Sequence, residues 1–241
     1  MCWSLEASAA MVVAGTAASV ACWRQGQPVA VWGVLGFFTV MEALQLAGSL
    51  TADDCSAAAN RGVTLLSYLH IAFQPILINA FALELVPAAV RRGCRRWVLG
   101  LCGGAAAIML LQLLPLPALG SCAAGAPMCA EVLCTVSGTW NIAWNVPYNG
   151  LLVPLDNALG VQSGFPVYMA AVFLLPLAYG AWRFVLMHVL AGPVLAWMLT
   201  SNPNEMPAVW CLFSIVILCI GLSPWVRGAF TTSSWWGLRV S

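Results

Sequence analysis

The chain has 241 residues, of which 62% are hydrophobic and 7% charged, with a formal net charge of +1. A soluble domain carries about a quarter charged residues, so an ordinary water-facing surface is excluded. All nine basic residues are arginine; without lysine there is no retinal or pyridoxal Schiff base, and nine scattered arginines form no basic stripe for nucleic acid.

The mean hydropathy of +0.91 makes lipid the solvent for most of the chain. Seven apolar segments follow one another, at about residues 4–23, 30–50, 63–85, 97–116, 162–181, 182–199 and 207–225. Each is close to the ~20 residues that cross ~30 Å of hydrocarbon. The expected fold is therefore an all-α, polytopic membrane protein: a single domain of seven transmembrane helices spanning residues 1–241. The start of the chain has neither a basic n-region nor a small-residue cleavage site, so the first segment reads as a retained helix.

Arginine is retained on the cytoplasmic side of short loops. With the N-terminus outside and the C-terminus cytoplasmic, Arg24, Arg91, Arg92, Arg95, Arg96, Arg183, Arg227 and Arg239 fall inside and Arg61 outside. Trp23, Trp97, Trp182 and Trp225 then align at the inner interface, where an indole buries its ring and keeps its N–H wet. The expected location is a cell membrane, with the lipid bilayer as the constant partner.

One external connection, about residues 117–161, is long enough to be self-structured. Within it Trp140, Trp144 and Tyr148 recur every four residues, a spacing that predicts a short interfacial helix over 140–149. Cys55, Cys122, Cys129 and Cys134 all fall in external loops, where disulfides persist. Two bridges are expected, one of them tying Cys55 to the long loop, and three connectivities are open. Cys22, Cys94, Cys102, Cys211 and Cys219 read as reduced small hydrophobes.

Ionisable groups in a bilayer cost several kcal/mol and must face the bundle interior. Glu42 shares a face of the second helix with Gln45, and His70 shares a face of the third with Gln74. Glu42 and His70 lie at one depth, and Gln74 and His188 at a deeper one. Glu6, at the outer end of the first helix, is placed to close over the Glu42 layer. Glu84 suits an ion pair with the neighbouring arginines, and Glu205 suits a helix cap.

Three readings of this cluster stand open: a hydrogen-bonded Glu42–His70 pair that fixes helix register; an externally open polar pocket that binds or passes a small molecule or lipid-like ligand; and a membrane-embedded hydrolase of a lipid-like substrate. In the last, Glu42 and His70 are the candidate metal ligands, but a chain with two histidines falls short of a three-ligand zinc site. No cofactor is expected otherwise. The ligand-pocket reading leads, with the hydrolase as the alternative and a structural or assembly role beside them.

The opening Met1-Cys2-Trp3-Ser4, the stretch from Tyr68 to Pro75 with His70 and Gln74, and residues 140–149 resemble an uncharacterised family of seven-helix membrane proteins that carries only a domain-of-unknown-function label. That resemblance spans the chain and implies a fold but no activity. A vaguer similarity, through Trp3-Ser4-Leu5-Glu6, is to ceramidase-like membrane hydrolases; their three-histidine zinc site has no counterpart here, so none of their catalytic residues is carried over.

Overall fold

The computed structural model describes residues 5–211 and 213–236. The opening motif at residues 1–4, with Cys2, and Arg239 near the other end lie outside these. The first four helices are α1 (Leu5–Arg24), α2 (Val29–Thr51), α3 (Ala58–Ala82, continued by a 3₁₀ turn at Leu83–Leu85) and α4 (Ala88–Gln112). They form where long apolar runs carry no internal proline, apart from Pro75 in α3. α1 and α2 pack as an antiparallel hairpin so closely that a Cβ on Gly15 would lie 2.2 Å from the Thr39 hydroxyl, the small-residue approach by which helices associate in lipid.

The long connection folds mostly as something other than a helix. Residues 140–149 do not form the expected interfacial helix: β1 (Cys134–Ser137) pairs antiparallel with β2 (Ile142–Asn145), Cys134 opposite Asn145. A spacing of four is also twice the strand period of two, so Trp140, Trp144 and Tyr148 fit a strand-like face as well as a helix; Ile142, Trp144 and Val146, all fully buried, are good strand residues and Pro147 a poor helical one. One short helix does occur in this connection, α5 (Val153–Leu159).

The hairpin is latched to the helices beneath it. Asn60 of α3 donates to the Thr51 and Thr135 carbonyls at 2.7 Å each and accepts from the Thr135 amide. Asp53 accepts from the amide and hydroxyl of Ser137. Disulfides join Cys55 to Cys134 and Cys122 to Cys129, resolving the three open connectivities.

The remaining helices are irregular. α6 (Pro166–Ala178) and α7 (Trp182–Leu199) each contain a π turn, at Ala170–Leu174 and Leu190–Val194. In α6 this frees the Ala171 carbonyl, which accepts from the Asn79 amide of α3 at 2.8 Å, while Asn79 Oδ1 accepts from the Tyr179 hydroxyl. α8 (Met206–Trp210) leads into α9 (Phe213–Leu222), and α10 (Pro224–Phe230) turns by 112° from them. Ser223 caps α10 by accepting from the Val226 amide, with Pro224 at the first helical position.

Among the described residues, five helices are long and apolar enough to cross a membrane: α1, α2, α3 with its 3₁₀ turn, α4 and α7; the bent α8–α10 unit makes a sixth if counted as one span. The fifth segment of the sequence reading corresponds to α6, which is shorter, and the seventh ends in the bend before α10. Large apolar side chains such as Val13, Trp97, Met198 and Trp225 are 70% exposed or more, compatible with a membrane protein.

Candidate functional site

The two π turns face a cluster of rings. His188, fully buried in α7, stacks on Phe213 with centroids 4.0 Å apart. Its Nε2 accepts the indole N–H of Trp210 at 3.0 Å. The Trp210 indole in turn stacks on Phe173 of the α6 π turn and meets Tyr168 edge-on. Gly192, in the α7 π turn, makes room for this ring: a Cβ there would lie 2.2 Å from the indole nitrogen. π turns inside α-helices frequently mark functional sites.

Beside these rings lies a cavity of about 180 Å³. It reaches from the loop end, where Pro127, Met128 and Ser163 line it, to Ile78 and His188 in mid-bundle. Met109, Met128, Met169 and Met206 form much of the wall, with Phe38, Phe165 and Phe213. Thioether side chains adapt to an irregular occupant better than branched ones. Met128 holds a backbone φ of +63°, a left-handed conformation that costs a non-glycine residue ~1 kcal/mol or more; the Cys122–Cys129 ring and the bond from the Tyr148 hydroxyl to the Pro127 carbonyl secure it.

The polar inventory of the cavity is short. Cys211 donates its thiol to the Pro207 carbonyl and Ser163 its hydroxyl to Asp156, so both donors are spent. The Tyr168 hydroxyl donates to Gln74 Oε1 at 2.7 Å. The Gln74 amide nitrogen makes no hydrogen bond to another described residue, leaving a donor group facing an apolar space.

The model of the family of unknown function DUF5765 matches residues 6–231. The chain belongs to that family. No curated protein and no solved structure matches.

Of the residues singled out in the sequence, the cavity gathers Gln74 and His188 and not the other four. Glu42 is buried and accepts from the Ser214 hydroxyl at 3.0 Å; its second oxygen has no partner among the described residues, and the residue borders a separate void of about 10 Å³. His70 bonds the Phe37 carbonyl at 2.7 Å and stacks on the Phe37 ring. Glu42 and His70 are thus each engaged elsewhere, and the register-fixing pair does not form. Gln45 Oε1 accepts from Asn141 in the hairpin at 2.7 Å, and Glu6 sits exposed in the first turn of α1. The pocket is mostly apolar where the sequence suggested a polar one. Among the described residues no group of three or more His, Cys, Asp or Glu side chains is placed to hold a metal ion.

Glu205 belongs to the loop end and does more than precede a helix. It makes no side-chain cap; Oε1 accepts from the Trp140 and Asn141 amides and Oε2 from the Thr200 hydroxyl at 2.6 Å. Burial alone pushes its carboxyl up, but these donors together hold it below the ordinary glutamate value. The residues that sequence reasoning missed, Tyr168, Trp210 and Phe213, sit inside apolar runs where an aromatic is unremarkable. Their nearest sequence signal was the prolines at 166, 176 and 193.

Proposed function

We propose that the protein is a multi-pass component of a cell membrane that holds a compact, mainly apolar small molecule in the cavity between α3, α4, α6, α7 and α8–α9. In this reading α6 and α8–α9 complete seven spans, with the N-terminus and hairpin outside and the arginine-bearing end inside. The observation that carries it is the Gln74 amide: two N–H donors without an acceptor among the described residues, on the wall of a mainly apolar space. Such a site favours a ligand with one acceptor oxygen on a hydrocarbon body, because the ligand shuts water away from the amide and its oxygen then supplies the missing acceptor. An apolar cavity of ~150 Å³ accepts a benzene-sized molecule, so six to eight heavy atoms is the rough scale.

The test uses protein in lipid nanodiscs titrated with cyclohexanone and with methylcyclohexane, a partner of similar shape lacking the carbonyl, with binding read by saturation-transfer NMR. Cyclohexanone binds more tightly to wild type, and Gln74→Leu abolishes the difference. Equal binding of both by wild type contradicts the reading. Impermeant maleimide on intact cells checks the orientation: Ala57→Cys labels and Arg95→Cys does not.

The hydrolase alternative has less support, since Glu42 and His70 bond to Ser214 and Phe37 rather than to a common centre.

A further inference from the structure

The two ends of the bundle differ in charge. Hydrogen bonds from Gln27 and Arg227 to Gly221, from Thr232 to Leu85, and from Arg183 to Ala229 tie the α1–α2, α3–α4, α6–α7 and α9–α10 junctions into one end. Arg24, Arg91, Arg92, Arg95, Arg96, Arg183 and Arg227 belong to that end, and Glu84 is its one acidic residue among the described residues. Glu6, Asp53, Asp54, Glu131, Asp156 and Glu205 belong to the opposite end.

At the basic end, helix α4 starts at Ala88, nine residues before Trp97 opens its apolar run, so about 13 Å of helix precedes the hydrocarbon. Arg91 is spent on Glu84, and Arg183 and Arg227 on backbone carbonyls. Arg92, Arg95 and Arg96 are exposed and make no hydrogen bond or ion pair to another described residue. At 100° per residue they fall within one arc of about 100°. Like charges three and four residues apart on a helix repel, so a face of this kind is stabilised by an external anion. One residue on from Arg96, about 100° further round α4, Trp97 is 78% exposed, and Trp225 on the bent α10 at the same end is 85% exposed; indoles take this level at the headgroups.

We infer that the Arg92–Arg95–Arg96 face of α4 binds the phosphate groups of anionic phospholipids in the leaflet it meets. Guanidinium forks match phosphate oxygens in pairs, and the exposed indoles place this face where phosphates lie rather than free in water. This rests on the membrane reading above but not on the cavity or on which side the N-terminus faces.

Native mass spectrometry of protein from nanodiscs of mixed phosphatidylglycerol and phosphatidylcholine tests it. Wild type retains phosphatidylglycerol preferentially. Replacing the three arginines by Gln lowers its apparent affinity about fivefold per charge, the Arg→Lys triple variant, with the charge but without the forks, falls between the two, and Arg61→Gln at the opposite end changes nothing. Equal retention of the two lipids by wild type overturns the inference and needs no variant to fold; so does displacement of the lipid by millimolar inorganic phosphate, which would mark a site for the free anion. Failure to enter nanodiscs at all would instead sink the membrane reading.

Discussion

The indole N–H of Trp210 donates to Nε2 of His188 at 3.0 Å, joining α8 to α7 across the wall of the cavity. An imidazole nitrogen that accepts a proton donor cannot also carry a proton, so His188 is neutral with its hydrogen on Nδ1. Its Nε2 lone pair is also unavailable to a metal while the bond stands.

The first prediction concerns this pair. Trp210→Phe leaves a buried acceptor unpaired and lowers stability by about 1–3 kcal/mol. His188→Phe leaves the indole donor unpaired at a similar cost. Removing both costs less than the sum, a coupling of about 1 kcal/mol, read from thermal unfolding in one detergent. Strict additivity would show that the bond contributes nothing.

Gly192 is the second. Because a Cβ would meet the indole at 2.2 Å, and its Cδ1 at 2.6 Å, Gly192→Ala must push Trp210 out of position. Overpacking of this kind costs about 1–3 kcal/mol. The expected signature is a shift of the Trp210 indole N–H resonance with loss of stability; an unmoved resonance would contradict the packing.

Glu205 supplies a pH dependence. Its carboxyl titrates lower in the folded protein than unfolded, so its stabilisation is present above the unfolded value and disappears as pH falls through the folded one. Glu205→Gln therefore lowers stability at neutral pH by about 2 kcal/mol, the scale of charge-assisted bonds, and wild type and variant converge in strong acid. A constant gap across the pH range would count against the latch.

The disulfides should differ in weight. Cys55–Cys134 closes a separation of 79 residues and Cys122–Cys129 one of 7. On chain entropy the first contributes about 4 kcal/mol and the second about 2, so Cys55→Ser with Cys134→Ser lowers the melting temperature more than Cys122→Ser with Cys129→Ser. The reverse order would place the hairpin's stability elsewhere.

The sequence makes α1 to α4 legible because each is a long apolar run ended by Pro, Gly or a change in polarity. That Cys55, Cys122, Cys129 and Cys134 form two bridges is legible, and which pairs with which is not, since Cys134 meets Cys55 only when β1 lies over the α2–α3 turn. α6 is harder to read because its prolines and π turn shorten the helix to Pro166–Ala178. Gln74 and His188 could be found as polar residues at one depth, whereas Glu42 and His70, matched by the same argument, bond to other elements. Depth fixes the layer; rotation about each helix axis, set by neighbours such as Phe37 and Ser214, decides who meets whom. Trp210, one of 12 tryptophans, became visible only when its partner from α7 was in place.

The central claim, that the cavity itself is the binding site, is tested most directly by filling it. Ala196 lines the cavity, and Ala196→Phe adds a ring at this wall, in the space that a ligand would occupy. In saturation-transfer NMR on nanodisc-embedded protein, cyclohexanone binds wild type and fails to bind Ala196→Phe, while the variant melts no lower than wild type. A folded Ala196→Phe protein that binds cyclohexanone as wild type does would contradict the account.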